Sequence, residues 1–199
     1  MHEYRGKRDS LNKERTQTLK TVKALILIGY MCVGKTTIGR EVARRTGRMF
    51  YDLDWYIEER FRKRIPQIFE DEGEARFRDM ERRMLHEVAA FEDVVVSCGG
   101  GTPCHFDNID FMNSVGNTVY LQATPETILT HLTLAKGRRP LLEGKSPEEL
   151  EAFVRKQLEE RKPFYARAHT TIDVSVLDNA DKIETIAEQI IKQEKLHNP

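Results

Sequence analysis

The residues with the clearest chemical meaning lie near the start of the chain. The stretch Gly29-Tyr-Met-Cys-Val-Gly34-Lys35-Thr36 matches the pattern GxxxxGK[ST], which cradles phosphate groups. In such a loop the backbone N–H groups surround the β-phosphate, and the start of the following helix adds positive potential. We therefore predict that Lys35 binds the β- and γ-phosphates of a nucleoside triphosphate and that the Thr36 hydroxyl binds Mg²⁺.

The fourth position of this loop is Cys32, where a tight phosphate loop often requires a positive φ. Glycine adopts that conformation freely, whereas for a residue with a β-carbon it costs on the order of 1 kcal/mol. We expect an intact loop that is slightly strained at Cys32. Because Lys35 and a helix start are close by, a reactive thiol is a further hypothesis.

Two carboxylates, Asp52 and Asp54, end the second apolar run of the chain. Ligands of a parallel sheet collect at the carboxyl ends of its strands, and residues two apart on a strand share a face. One carboxylate would then serve Mg²⁺, and the other would accept a hydrogen bond or proton from an attacking hydroxyl. The alternative for this pattern is a solvated acidic turn.

Other candidate groups follow in later segments. Arg78 comes directly after Phe77, so an apolar wall and a guanidinium that suits a carboxylate would line one pocket. The triplet Gly99–Gly101 would allow backbone N–H groups to approach a ligand closely. Arg139 lies in a basic loop that would close over the transferring phosphate, and Arg161 lies near the end of the next predicted helix.

The elements that must position these groups alternate along the chain. Apolar runs predict strands at residues 24–29, 49–52, 93–97, 118–122 and 171–174. Helical spacing and capping signals predict helices from 36 to 47, across 53–90 with breaks near Pro66 and Gly73, from 125, from 146 to 166, and over 180–195. Alternating strands and helices imply one α/β domain, residues 23–199, with a parallel sheet covered on both faces.

Composition excludes several classes of protein. The chain has 199 residues with 32 basic and 32 acidic side chains, so it lacks the basic excess typical of nucleic-acid binding. No apolar run approaches the roughly 20 residues that span a bilayer. Three cysteines without a paired framework suit a cytoplasmic location. Residues 1–22 are polar, lack the apolar core of a secretory signal, and are expected to be a disordered or fraying tail.

Six segments in this order resemble the shikimate kinase family: GYMCVGKTT, DLDWYIEER, IFEDEGEARFRDME, VVVSCGGG, RRPLL and ERKPFYARA. The resemblance covers roughly residues 24–195. It implies a three-layer P-loop kinase fold of the α/β class, with a five-stranded parallel sheet in the order 2-3-1-4-5, helices on both faces and a mobile lid. It also implies transfer of the γ-phosphate of MgATP to the 3-hydroxyl of shikimate, giving shikimate 3-phosphate and ADP on the route to chorismate and aromatic amino acids.

The resemblance assigns chemical roles by position. It implies that Asp54 binds the shikimate hydroxyls and is the candidate base, while Lys35 and the lid residue Arg139 act on the phosphates. Asp52 would hold Mg²⁺ through water, together with Thr36. The cofactors are therefore ATP and Mg²⁺.

Two binding sets follow from the same resemblance. The shikimate side combines carboxylate-binding arginines, a backbone N–H, two aromatic walls and the base: Arg78, Arg161, Gly100, Phe69, Phe77 and Asp54. The nucleotide side combines the phosphate loop and the lid arginine: Gly29, Met31, Cys32, Val33, Gly34, Lys35, Thr36, Thr37 and Arg139. Residues 61–82 correspond to a shikimate-binding subdomain, and residues 136–147 to the lid.

Two features depart from the family pattern. Cys32 replaces the usual glycine, and residues 131–136 lack the arginine that many relatives stack on adenine. Two alternative functions stay open: another small P-loop kinase, such as one for gluconate, and a catalytically inactive relative that binds nucleotide. An oxidoreductase is disfavoured because the glycine spacing is not GxGxxG. Well-charged helices favour a monomer, with a small molecule and neither nucleic acid nor membrane as its partner.

Overall fold

The structure is a computed structural model that describes residues 24–134, 144, 146–175 and 180–197. The predicted tail, residues 1–22, lies outside the described residues. Most of the predicted lid does so as well, including Arg139. Among the described helices, none combines the length and the apolar character needed to cross a membrane.

Five parallel strands form one sheet, as predicted. They are β1 (Ala24–Ile28), β2 (Met49–Asp52), β3 (Val94–Ser97), β4 (Gly116–Gln122) and β5 (Thr170–Asp173). Their order is β2-β3-β1-β4-β5, which confirms the predicted 2-3-1-4-5 topology. The central strand β1 pairs with β3 through Leu25 and Val95, and with β4 through Leu25 and Asn117. The carboxyl ends of β1, β2 and β3 therefore meet at one edge of the sheet.

Helices cover both faces of this sheet. They are α1 (Lys35–Thr46), α2 (Leu53–Phe61), α3 (Ile65–Ala89), α4 (Asn108–Val115), α5 (Pro125–Leu134), α6 (Pro147–Tyr165) and α7 (Ala180–His197). Side chains alternate along a strand, so β1 supplies both cores. Leu25 and Leu27 pack in the core that contains residues of α1, α5, α6 and α7. Ile26 and Ile28 pack in the core formed with α2, α3 and α4, which completes the three predicted layers.

Local signals explain most element boundaries. Gly73 has φ 78° and ψ 169° and kinks α3, while the break before α3 ends at Ile65 with Pro66 in the first helical turn. The Ser146 hydroxyl accepts from the Glu149 N–H at 3.2 Å and caps α6. Each of these boundaries was predicted, because a proline, a glycine or a capping residue acts on its own neighbours.

Helix α4 was not predicted. It has eight residues and no side-chain cap at its start, so it offers little helix signal beyond the buried pair Ile109 and Met112. Strand β4 also begins two residues earlier than predicted, since Gly116 pairs with Ala24 on β1. Both differences reflect packing against the rest of the sheet rather than local preference.

Candidate active site

The phosphate loop joins β1 to α1. Gly29 has φ 145°, and a β-carbon at this position would lie 2.5 Å from the Leu121 carbonyl oxygen, so only glycine fits. Cys32 has φ 63°, which confirms the strain expected for this residue. The Lys35 ammonium donates to the carbonyl oxygens of Gly29 at 2.9 Å and Tyr30 at 2.7 Å. The lysine is therefore held inside the loop by backbone acceptors that a bound phosphate would replace.

Two opposing effects act on the pKa of Lys35. Burial lowers the pKa of the Lys35 ammonium, while Asp54 and, less strongly, Asp52 raise it. A partly buried cation lacks some of the hydration that it would have at the surface. It therefore gains from binding an anion such as a phosphate group.

Asp52 joins the phosphate loop to α2. The Thr36 hydroxyl donates to Asp52 Oδ2 at 2.7 Å. The other carboxylate oxygen caps α2 by accepting from the N–H groups of Asp54 at 3.2 Å and Trp55 at 3.4 Å. These bonds fix the carboxylate beside the Thr36 hydroxyl, so the two side chains that were predicted to hold Mg²⁺ lie together.

The Thr36 hydroxyl and the Asp52 carboxylate suit an Mg²⁺ ion that is also bound by the phosphates of a substrate. Within the described ranges, no cluster of three or more His, Cys, Asp or Glu side chains forms a potential metal site. Mg²⁺ in phosphoryl-transfer sites usually takes one or two protein oxygens and completes its shell with waters and phosphate oxygens. Thr36 and Asp52 supply that small protein share.

Asp54 lies in the first turn of α2 and is partly buried beside charged groups. Burial raises the pKa of its carboxyl to about 7, helped by the negative charges of Asp52 and Glu81 and opposed by Lys35. A carboxylate with a pKa near neutrality can take up a proton during a reaction and release it afterwards. Asp54 therefore has the protonation behaviour expected of the candidate base, and it lines the same cavity as the phosphate loop.

Each glycine of the triplet after β3 faces a different charged side chain. A β-carbon on Gly99 would lie 2.9 Å from Asp54 Oδ1, and one on Gly100 would lie 3.2 Å from Arg161 Nη1. One on Gly101 would lie 3.0 Å from Arg78 Nη2. The triplet thus lets three predicted substrate-binding side chains converge on one stretch of backbone, where a β-carbon at any of the three positions would crowd one of them.

Two aromatic rings and two carboxylates hold Arg78. Its guanidinium lies over the ring of Phe77 at 5.1 Å and that of Phe69 at 6.0 Å, and the two rings contact each other. Its Nη1 donates to Glu81 Oε2 at 2.8 Å, while Nη2 donates to Glu74 at 3.2 Å. This places the predicted apolar wall and guanidinium together.

Glu81 was not singled out from the sequence. Its side chain is only 1% exposed, and it also accepts from the Thr102 hydroxyl. The i,i+3 spacing from Arg78 along a helix was a usable signal for this ion pair. Its proximity to Asp54 and Thr102 had no such signal, because those residues are distant in sequence.

Arg161 reaches the same glycines from α6. Its guanidinium lies 5.2 Å from the ring centroid of Tyr30, which belongs to the phosphate loop. The buried Tyr165 hydroxyl donates to the Gly100 carbonyl at 2.6 Å and ties the end of α6 to the triplet. Arg161 and Arg78 therefore approach the triplet from two different helices.

A cavity of about 520 Å³ runs from the phosphate loop to the triplet. Most of its predicted lining residues are present: Met31, Cys32, Gly34, Lys35, Thr36, Thr37, Asp52, Asp54 and Gly100. Val33 instead packs its side chain in the core, and Arg78, Arg161, Phe69 and Phe77 lie outside this lining, around the triplet. His131 and Leu134 of α5 also line the cavity; they were not predicted as site residues, but they lie in the stretch 131–136 that lacks the adenine-stacking arginine of many relatives.

Comparisons with known proteins agree with this geometry. The sequence profile of the shikimate kinase family matches residues 31–195. The shikimate kinase of Parabacteroides distasonis is 48% identical over 171 residues, which cover 86% of this chain and 99% of that protein.

Solved structures give the same result. The shikimate kinase of Bacteroides thetaiotaomicron is 45% identical with a TM-score of 0.84, covering 87% of this chain and 98% of that one. The shikimate kinase of Acinetobacter baumannii in complex with shikimate is 36% identical with a TM-score of 0.78, covering 92% and 97%. A phosphate loop, an aspartate with a raised pKa and two arginines at a glycine triplet thus occur in a chain that belongs to the shikimate kinase family.

Proposed function

We propose that this protein transfers the γ-phosphate of ATP to the 3-hydroxyl of shikimate and releases ADP and shikimate 3-phosphate. The observation that carries the proposal is the position of Asp54, between the phosphate loop and the glycine triplet where Arg78 and Arg161 converge. A donor site and an anion-binding acceptor site would therefore share the carboxylate of Asp54. The solved relative that holds shikimate supports the choice of acceptor.

The acceptor side suits a small hydroxylated carboxylate. Arg78 and Arg161 carry guanidinium groups, which bind carboxylates through paired hydrogen bonds. The rings of Phe69 and Phe77 give this region an apolar wall. We assign the substrate carboxylate to the two arginines and the backbone at Gly100, which would direct the ring hydroxyls toward Asp54.

The proposed reaction moves one proton and one phosphoryl group. The acceptor oxygen attacks the γ-phosphorus, its proton passes to Asp54, and the bond between the γ-phosphorus and the bridging oxygen of ADP breaks. Lys35 holds the phosphates and offsets the negative charge that develops on them. Thr36 and Asp52 would hold Mg²⁺, which neutralises phosphate charge when bound.

Other assignments rest on the sequence resemblance. Arg139 is proposed to close over the transferring phosphate, residues 136–147 to form the lid and residues 61–82 to form the shikimate-binding subdomain. A monomeric cytoplasmic enzyme is also proposed, on the basis of the well-charged helices and the cysteine content. Sedimentation at enzyme concentrations above and below those of the assay would test the monomer, and Arg139→Ala should lower kcat more than it raises the KM for shikimate.

A coupled ADP-release assay tests the main proposal. It would compare MgATP with shikimate, with gluconate and without acceptor, using Lys35→Ala as the inactive control. Turnover with shikimate alone is expected, and phosphorus NMR of the product should show phosphate on the 3-hydroxyl. Turnover with gluconate alone would assign the protein to another substrate. ATP binding without turnover on either acceptor would favour the inactive relative.

A further inference from the structure

His131 connects α5 to the phosphate loop. Its Nδ1 lies 3.0 Å from the backbone oxygen of Cys32, across 99 positions of sequence. A carbonyl oxygen can only accept a hydrogen bond, so Nδ1 must carry the hydrogen. His131 and Cys32 both line the cavity described above. The ring is thus an external clamp on the loop, supplied by a helix that is remote in sequence.

The clamp acts at the strained residue of the loop. Cys32 has φ 63°, the left-handed region that disfavours residues with a β-carbon by about five- to thirtyfold in population. A single hydrogen bond typically favours the conformation that makes it by about two- to tenfold in population. The bond from His131 is therefore large enough to offset much of the penalty at Cys32.

The clamp also orients a phosphate-binding group. The carbonyl of Cys32 and the N–H of Val33 belong to the same peptide unit, which is planar with the two groups pointing in opposite directions. Holding the carbonyl on His131 therefore fixes the direction of the Val33 N–H. Because the Val33 side chain packs in the core, the backbone is the part of this residue that can serve the phosphate cradle.

We propose that His131 is a positioning residue that compensates for the absence of glycine at position 32 and thereby sets nucleotide affinity. The inference rests on the proposed nucleotide site but not on the identity of the acceptor. In this role His131 does more than pack α5 against the core. The role also differs from direct contact between the imidazole and the adenine base, for which Nε2 or the ring face would be needed.

Two substitutions separate these roles. His131→Leu introduces an apolar side chain of comparable size and removes the donor. His131→Asn keeps a donor, because its amide nitrogen takes the place of Nδ1, and removes Nε2 and the ring. Each is measured by the Kd for ADP from equilibrium titration, by the KM values for ATP and shikimate, and by the melting temperature without ligand.

We expect His131→Leu to raise the Kd for ADP and the KM for ATP about two- to tenfold, with less than a twofold change in the KM for shikimate. We expect His131→Asn to bind ADP within about twofold of the parent. Equal nucleotide affinity in the parent and His131→Leu would overturn the proposal, as would His131→Asn as weak as His131→Leu. If His131→Leu does not fold, His131→Gln, whose donor lies at the Nε2 position, replaces it.

A double-mutant cycle then tests the link to strain. His131→Leu is repeated in Cys32→Gly, which relieves the strain, and in Cys32→Ser, which keeps a β-carbon but removes the thiol. The loss in ADP affinity should shrink toward none in the glycine background and persist in the serine background. Equal losses in both backgrounds would refute compensation. Because ADP binding is the readout, a protein that binds ADP but does not phosphorylate shikimate would refute only the proposed function.

Discussion

Arg78 has two carboxylate partners, and comparing them gives a sharp test of how the acceptor site is held. Glu81 is 1% exposed and accepts from Arg78 Nη1 at 2.8 Å. Glu74 is 62% exposed and accepts from Arg78 Nη2 at 3.2 Å. Each residue forms an ion pair with the same guanidinium on the same helix. The substitutions Glu81→Ala and Glu74→Ala therefore differ mainly in burial.

Burial sets the expected magnitudes. A hydrogen bond between charged groups away from water contributes about 1.5–3 kcal/mol, and an exposed ion pair contributes about 0–1 kcal/mol. Loss of Glu81 frees Arg78 to turn toward Glu74 and leaves the Thr102 hydroxyl without its acceptor. We expect Glu81→Ala to raise the KM for shikimate about 10- to 150-fold, and Glu74→Ala to raise it no more than about fivefold.

Steady-state kinetics with shikimate varied at saturating MgATP would measure both effects. The KM for ATP should change less than about twofold in either variant, since neither glutamate lines the cavity beside the phosphate loop. Glu81→Gln provides a control of the same shape, because its oxygen can still accept from Arg78 and its amide can donate to Thr102. An unchanged or lower KM for shikimate in Glu81→Ala would refute the reasoning, since Glu81 would then compete with the substrate for Arg78.

Four further predictions concern the donor side and the base. Lys35→Ala should abolish turnover in the ADP-release assay, because phosphate positioning provides most of the catalysis; measurable kcat would contradict its assignment. Asp54 must be ionised to accept a proton, and its pKa is raised to about 7, so kcat/KM should fall as the pH drops through this region. Because the negative charge of Glu81 helps to raise this pKa, Glu81→Gln should move the fall to lower pH. The carboxyl of Asp54 binds its proton more tightly in the folded protein than in the unfolded chain, so folding stability is lost as the pH rises from about 4 to about 7. Asp54→Asn should therefore raise the melting temperature more at pH 8 than at pH 5, and an equal rise at both pH values would refute the raised pKa. A thiol reagent should label Cys32 at neutral pH without nucleotide and more slowly with MgATP; an unmodified Cys32 would end the reactive-thiol hypothesis.

The sequence by itself determined the features that depend on neighbouring residues. The phosphate loop, the aspartates at the end of β2, the kink at Gly73 and the cap at Ser146 were all predicted at the right positions. Each is produced by a few contiguous residues, whose backbone preferences or capping groups act within one turn. The strand order followed from a resemblance that spans most of the chain, and the structure confirms it.

Tertiary structure alone decided which distant groups meet. Three contacts join segments that are far apart in the chain. Glu81 lies near Asp54, Arg161 lies against Gly100, and His131 forms a hydrogen bond with the Cys32 carbonyl. No local pattern encodes these contacts, because they depend on how α3, α5 and α6 pack around the parallel sheet. Helix α4 is also a product of packing, since its eight residues are too few to be stable without the core they cover. The residue types that do chemistry could be identified from the sequence, whereas the fold decided which groups position them.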